Sequence, residues 1–238
     1  MKTLNFTKYQ GTGNDFVVID DRNEKFDIED EDLISRMCDR RFGIGSDGLI
    51  LLRQVKDYDF EMVYFNTDGR QSSMCGNGGR CIVHFAHSLG IFEKSCKFLA
   101  IDGPHEAVMI EEDVVKLGMH DVDEITEVDD QTMTLDTGSP HYVTVIDDAA
   151  DFDVVGAGRD IRNSDPYKDE GINVNFLSQD GDSYQVNTYE RGVEDETLSC
   201  GTGATAAAIS ASLIWKDKVS SPVPITTKGG SLKIHFDQ

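Results

Sequence analysis

One interval recurs in this 238-residue chain. Cys75-Gly76-Asn77-Gly78 and Cys200-Gly201-Thr202-Gly203 lie 125 positions apart. Gly13-Asn14 and Gly138-Ser139 are separated by the same interval, and so are Asn66 and Arg191. A glycine-rich turn recurs in any β-rich chain, so a single match carries little. Three separate segments sharing one interval point to duplication, which constrains the whole fold. The chain must build two similar halves, each carrying one cysteine at one helix start. If the halves face each other, two thiols approach one cleft from opposite sides.

The local patterns fit two β-rich halves. Phe16-Ile19, Leu49-Leu52, Phe60-Phe65, Tyr142-Ile146 and Ile225-Phe236 read as strands. Asp30 to Arg41 reads as a helix that opens on acids and stops before Gly43. Two further helices are expected from about Gly76 to Leu89 and from about Gly201 to Trp215, each just after a cysteine. The acidic stretch from Glu111 to Asp130 reads either as a domain junction or as a solvated pair of edge strands. The expected halves are residues 1–113 and 114–226.

Composition excludes several partners. With 22 Lys+Arg against 44 Asp+Glu, the formal charge is −22. Such a surface repels nucleic-acid backbones and anionic membranes. No apolar run reaches the roughly 18 to 20 residues of a membrane helix. The opening residues Met1-Lys2-Thr3-Leu4-Asn5-Phe6 have no apolar signal core. The five cysteines, at 38, 75, 81, 96 and 200, are odd in number and irregularly spaced, so they read as free thiols. A reducing cytosol is the expected location.

Cysteine before a glycine-rich helix start is chemistry as well as structure. The first turn of a helix has unpaired N–H groups and a positive partial charge. Both favour a thiolate and can hold a substrate carboxylate. Two such starts suit a two-base inversion. One cysteine, as thiolate, removes an α-proton from one face, and the other, as thiol, returns a proton to the opposite face. No cofactor and no metal is required. His84 and His87 lie on an apolar helix face without further ligands at suitable spacing, so they read as ordinary histidines. A thiol redox pair is the competing reading, although no Cys-x-x-Cys is present. Cys38, Cys81 and Cys96 read as structural.

Six motifs in order carry a family resemblance. They are Lys8-Tyr9-Gln10-Gly11-Thr12-Gly13-Asn14-Asp15-Phe16; Phe65-Asn66-Thr67-Asp68-Gly69; Met74-Cys75-Gly76-Asn77-Gly78-Gly79-Arg80-Cys81; Gly138-Ser139-Pro140-His141; Gly171-Ile172-Asn173-Val174-Asn175-Phe176; and Tyr189-Glu190-Arg191-Gly192 with Glu196 to Gly203. Over essentially its full length the chain resembles the diaminopimelate epimerases. The resemblance implies conversion of LL-diaminopimelate to the meso form in lysine and peptidoglycan-precursor synthesis. It implies an α/β (α+β) fold of two pseudo-symmetric domains, each a mixed sheet or barrel wrapped around a central helix, and often a homodimer. It also implies that the last residues, 227–238, return to the first domain.

Roles carry over by position. Cys75 and Cys200 match the acid/base pair. Asn14, Asn66 and Asn173 match substrate-binding positions, and Arg191 matches the residue for the far carboxylate. Gly76, Asn77, Gly201 and Thr202 match the two helix-start cradles. His141 and Glu190 match residues that adjust the cysteines' protonation, and both contact the reacting end. Three departures stand out. Ser139 replaces the usual asparagine, Gly48 stands where a polar side chain is common, and the segment from Arg191 to Thr197 is one residue longer than usual. The nearest alternatives are a racemase or epimerase of the proline or hydroxyproline type, a phenazine-synthesis-type isomerase, and a non-catalytic carboxylate-binding thiol protein.

Overall fold

A computed structural model describes residues 3–149, 151–181 and 183–237. The chain divides into two compact units, Met1–Gly118 and Met119–Gln238.

The first unit runs β1 (Thr7–Gly11), β2 (Asn14–Asp20), α1 (Glu31–Cys38), β3 (Gly48–Arg53), β4 (Phe60–Asn66), α2 (Gly76–Ser88), β5 (Ser95–Ala100), β6 (Gly103–Glu111) and β7 (Val114–Leu117). Its seven strands form one mixed sheet in sequence order. The central strands are buried on both faces, and alternation sends their side chains to two cores. Phe16, Val18, Ile50, Leu52 and Met62 pack with Ile82, Val83 and Phe85 of α2. Val17, Ile19, Leu49, Leu51 and Val63 pack with Ile34 and Met37 of α1. Strands β1, β2, β3, β4, β6 and β7 all touch α2, so the sheet curls round that helix.

The second unit runs β8 (Ile125–Asp129), β9 (Thr132–Asp136), β10 (Pro140–Val145), α3 (Val154–Arg162), β11 (Asn173–Asp180), β12 (Ser183–Glu190), β13 (Asp195–Thr197), α4 (Gly201–Ile214), β14 (Val223–Thr227) and β15 (Gly230–Ile234). The sheet order is β15-β14-β12-β11-β10-β9-β8, with β13 added on β12. Helix α4 is buried on most sides, and Ala204, Ala206, Ala207, Ala208 and Ala211 let the sheet close around it. Helix α3 covers the other face, over Val174, Phe176 and Tyr189.

The duplication is visible strand by strand. In each unit an antiparallel hairpin leads into a parallel pair spanning a helix: β1-β2-α1-β3 in the first, β9-β10-α3-β11 in the second. An antiparallel strand follows, then the cysteine helix, then a strand parallel to it: β4-α2-β5 and β12-α4-β14. Phe16 faces Gly48, and His141 faces Asn173, 125 residues on. The interval then drops by one. Leu49 faces Phe65, whereas Val174 faces Tyr189, so the counterpart of Asn66 is Glu190 and not Arg191. The extra residue lies in the loop after β12, and the interval is 125 again at the cysteines.

Two expectations need correction, and one element was missed. The boundary falls at Gly118, not after residue 113, because β7 completes the first sheet by pairing with β6. It lies inside the acidic stretch, which also holds the edge strands β7 and β8. The last strand does not return to the first domain. β15 pairs with β14, and Leu232, Ile234 and Phe236 pack against the core around α4. Helix α3 was not expected from Val154-Val155-Gly156-Ala157-Gly158. Asp153 caps it by accepting from the Gly156 N–H at 2.9 Å, and Gly158 lets it close on Tyr189, whose Cβ would lie 2.4 Å from an added methyl.

Candidate active site

Cys75 and Cys200 are both N-caps, of α2 and α4, with extended backbones that hand over to the first helical turn. Both are half-buried thiols, and neither is in a disulfide. The other three thiols are deeply placed. Burial pushes Cys81 and Cys96 up to about 12 and raises Cys38, which suits inert core thiols.

A shared contact holds each helix start against its hairpin. Thr12 donates to Asn77 Oδ1 at 3.1 Å, and Thr137, its equivalent, donates to the Thr202 carbonyl at 3.0 Å. These contacts hold a first turn whose glycines are poor helix formers.

Around Cys75 the groups are charged. Asn14 Nδ2 donates to Asp47 at 2.7 Å. That bond turns Asn14 Oδ1 toward Cys75 Sγ at 3.6 Å and Asn77 Nδ2 at 3.5 Å. Arg40 ties Asp47 to Asp15, with both contacts at 2.6 Å. Burial raises the Asp15 carboxyl, but Arg40 and Lys8 outweigh it and hold it well below the usual range. Arg80, one turn into α2, donates to Asn77 Oδ1 at 2.7 Å and to the Gly76 carbonyl at 3.2 Å. Burial lowers its pKa, while the Cys75 and Cys81 sulfurs pull it upward, so its charge lies within reach of the Cys75 thiol. Sequence reasoning gave no role to Asp47 or Arg80. Arg80 could have been found as a cation five residues after the cysteine, one helical turn along.

At Cys200 a backbone N–H and a hydroxyl meet the sulfur, which accepts from the Gly203 N–H at 3.4 Å and lies 3.3 Å from the Thr202 hydroxyl. The place corresponding to Arg80 is Thr205, which donates back to the Gly201 carbonyl at 3.1 Å. His141 is fully buried on β10, and its Nδ1 lies 3.0 Å from Asn175 Nδ2. Burial and the Arg191 cation push the imidazole down to about 3, so it stays neutral.

The remaining expected residues fall into two groups. Asn66 ends β4 in an exposed position, opposite Gly48. Gly48 has no room for a side chain, since an added Cβ would lie 2.5 Å from the Tyr64 ring and 2.7 Å from the Phe65 carbonyl. The polar side chain common at that position has no counterpart here. Asn173 is buried, and its amide is spent inside the protein. It donates to Ser139 Oγ at 2.8 Å and to the Pro140 carbonyl at 3.1 Å, and accepts from the Arg191 N–H at 2.9 Å. Ser139 thus takes up Asn173, and Asn173 fixes the backbone of Arg191. Glu190 closes β12 half-buried, and the exposed Arg191 guanidinium reaches the Glu170 carbonyl at 3.2 Å.

A family model described as diaminopimelate epimerase matches residues 6–122 and 133–238. The diaminopimelate epimerase of Flavobacterium psychrophilum is 50% identical over 232 residues, covering 97% of this chain and 90% of that protein. The chain belongs to the diaminopimelate epimerase family. It is an isomerase, an amino-acid epimerase of the kind that works without pyridoxal phosphate. The diaminopimelate epimerase of Aquifex aeolicus is 38% identical over 259 residues, covering 99% of this chain and 91% of its own. The fold is shared more widely than the family. A phenazine biosynthesis protein of the PhzF family from Bacillus anthracis superposes with a TM-score of 0.72 at 12% identity, over 98% of this chain and 90% of that one. A hydroxyproline epimerase from Agrobacterium vitis gives 0.66 at 14% identity, over 98% and 82%.

Proposed function

We propose that this epimerase inverts one α-carbon of LL-2,6-diaminopimelate to give the meso form, with Cys75 and Cys200 as opposite-face acid and base. The observation that supports it most is that both cysteines cap duplicated helix starts, each with groups that stabilise a thiolate. The base thiolate takes the α-proton, and charge builds onto the adjacent carboxylate. Helix-start N–H groups aimed at that carboxylate stabilise the charge as it forms, where one such donor is worth roughly 2.7 to 4 kcal/mol. The acid thiol then delivers its proton to the other face. In the reverse direction the two exchange roles.

Further parts of the reading rest on position. Arg191 offers a fork for the carboxylate at the far, non-reacting end. Asn14, Asn66, Asn77, Gly76, Gly201 and Thr202 line the substrate, with Glu190 beside the reacting end. Asn173 acts on substrate through Ser139 and Arg191, since its own amide is committed. The proposed setting is lysine biosynthesis in a reducing cytosol, by a homodimer.

A substrate panel under reducing conditions tests the choice. LL-diaminopimelate is expected to be converted, and proline and hydroxyproline to be left unchanged. Inversion of proline or hydroxyproline without diaminopimelate turnover would refute the assignment. Sedimentation of the pure protein measures the oligomer.

A further inference from the structure

The same sheet position carries opposite residues in the two units. In the first, Ile50 of β3 lies between Val18 of β2 and Tyr64 of β4. In the second, Asn175 of β11 lies between Val143 of β10 and Thr188 of β12. Two residues along from Val18 is Phe16, and two residues along from Val143 is His141. Phe16, Ile50 and Tyr64 form part of an apolar core, with Phe16 edge-on to Tyr64. His141, Asn175 and Thr188 replace them with three buried polar side chains. The fold itself is satisfied by hydrocarbon here, so the polar trio is retained at a cost that folding does not require.

The trio lies beneath the first turn of α4. A methyl on Gly203 would be 2.4 Å from Asn175 Oδ1 and 3.3 Å from Thr188 Oγ1. The Asn175 amide can take only one orientation. Its oxygen accepts from the Thr188 hydroxyl at 2.9 Å. Its nitrogen donates to the Tyr142 carbonyl at 3.1 Å and the Asn173 carbonyl at 3.4 Å. Turned over, the amide would set oxygen against two carbonyl oxygens. The nitrogen facing His141 Nδ1 is therefore a donor, and Nδ1 must accept. In a neutral imidazole the single proton then sits on Nε2. That atom is buried and has no hydrogen-bond partner among the described residues. A buried donor without an acceptor is costly unless a ligand completes it.

We propose that Asn175 and Thr188 are positioning residues that lock His141 as the Nε2–H tautomer, leaving that N–H as a donor for a bound carboxylate. The carboxylate rests on the function proposed above, whereas the tautomer does not. Thr188 fixes the Asn175 amide, Asn175 fixes the His141 proton, and His141 presents a neutral donor that neither titrates nor offers a competing base.

Nitrogen-15 NMR of histidine-labelled free protein reads the tautomer directly, with the His141 signals assigned by their loss in His141→Gln. The expected result is a neutral ring protonated on Nε2, unchanged from about pH 5 to about pH 9. Asn175→Asp should move the proton to Nδ1 or create an imidazolium. Thr188→Val should give mixed tautomers and a fall in kcat of about tenfold, and Thr188→Ser should restore both. If Asn175→Asp does not fold, the native spectrum and the Thr188 pair decide. A native ring protonated on Nδ1, a His141 titration within that pH range, or native tautomer and kcat in Thr188→Val would each overturn the proposal. The tautomer and titration readouts do not depend on which amino acid is the substrate, so their failure is distinct from failure of the substrate panel.

Discussion

Beneath Gly78, at the start of α2, lie Ile50 and Phe16; beneath its counterpart Gly203, at the start of α4, lie Asn175 and Thr188. Above those floors the difference reverses. Cys75 has a guanidinium, Arg80, one turn along, whereas Cys200 has a backbone N–H and the Thr202 hydroxyl. One unit sets a full charge near its thiol over an apolar floor, and the other sets a backbone N–H and a hydroxyl on its thiol over a polar floor. Duplication copied the backbone, and the two side-chain sets then diverged. Under the two-base scheme proposed above, the two thiols need matched acidities, and these unlike surroundings would have to supply them.

The strongest way to break the comparison is to remove either sulfur. Cys75→Ala and Cys200→Ala should each lower the inversion rate by roughly 10³-fold or more, measured by conversion of LL-diaminopimelate. Full activity in either variant would rule out the paired scheme. Next in size is Arg80→Met. Loss of a nearby cation should raise the Cys75 thiol pKa, read from the pH dependence of alkylation, with Cys200 unmoved. An equal shift at both cysteines would show that Arg80 does not belong to one unit alone. Thr202→Val removes a single neutral hydrogen bond, and should move Cys200 by less than Arg80→Met moves Cys75.

His141 gives the comparison a stability test. Burial and the Arg191 cation push the imidazole from its ordinary value of about 6.5 down to about 3 within the fold. Between those values the unfolded chain takes up a proton that the fold refuses, so stability falls as pH drops through that interval and is unaffected above it. His141→Gln should therefore show a shallower loss of Tm with falling pH than the native protein, and the same Tm slope at pH values above about 7. Phe16 in the first unit has no such dependence. The smallest effects belong to Cys38, Cys81 and Cys96. Their alanine variants should keep activity within about twofold while losing on the order of 1 kcal/mol of stability, by denaturant melts.

The duplication was legible because glycine, cysteine and threonine at helix starts and turns are dictated by backbone geometry, and such residues keep their spacing. The helices after Cys75 and Cys200 begin at the expected residues for the same reason. The one-residue slip between Asn66 and Glu190 was hidden because register is set by cross-strand pairing, which spacing alone does not encode. The destination of the last strand was missed because a short amphipathic strand can join either sheet, and its neighbour β14, which starts just after α4, decides. The placing of both cysteines at helix starts was readable from type and position. The contacts of Asp47, Arg80 and Thr188 were not, since each reaches a neighbour that only the fold supplies. Asn173 has the expected type, but its amide holds Ser139 and Arg191.

The two-base claim is tested most directly by isotope partition in the first turnovers. LL-diaminopimelate is incubated in deuterated water with reduced enzyme, and product and recovered substrate are analysed before equilibrium. With one cysteine removing the proton and another supplying its replacement, the meso product should carry one α-deuterium while recovered substrate carries none. Deuterium appearing equally in both would mean that a single group removes and returns the proton, and would contradict the account.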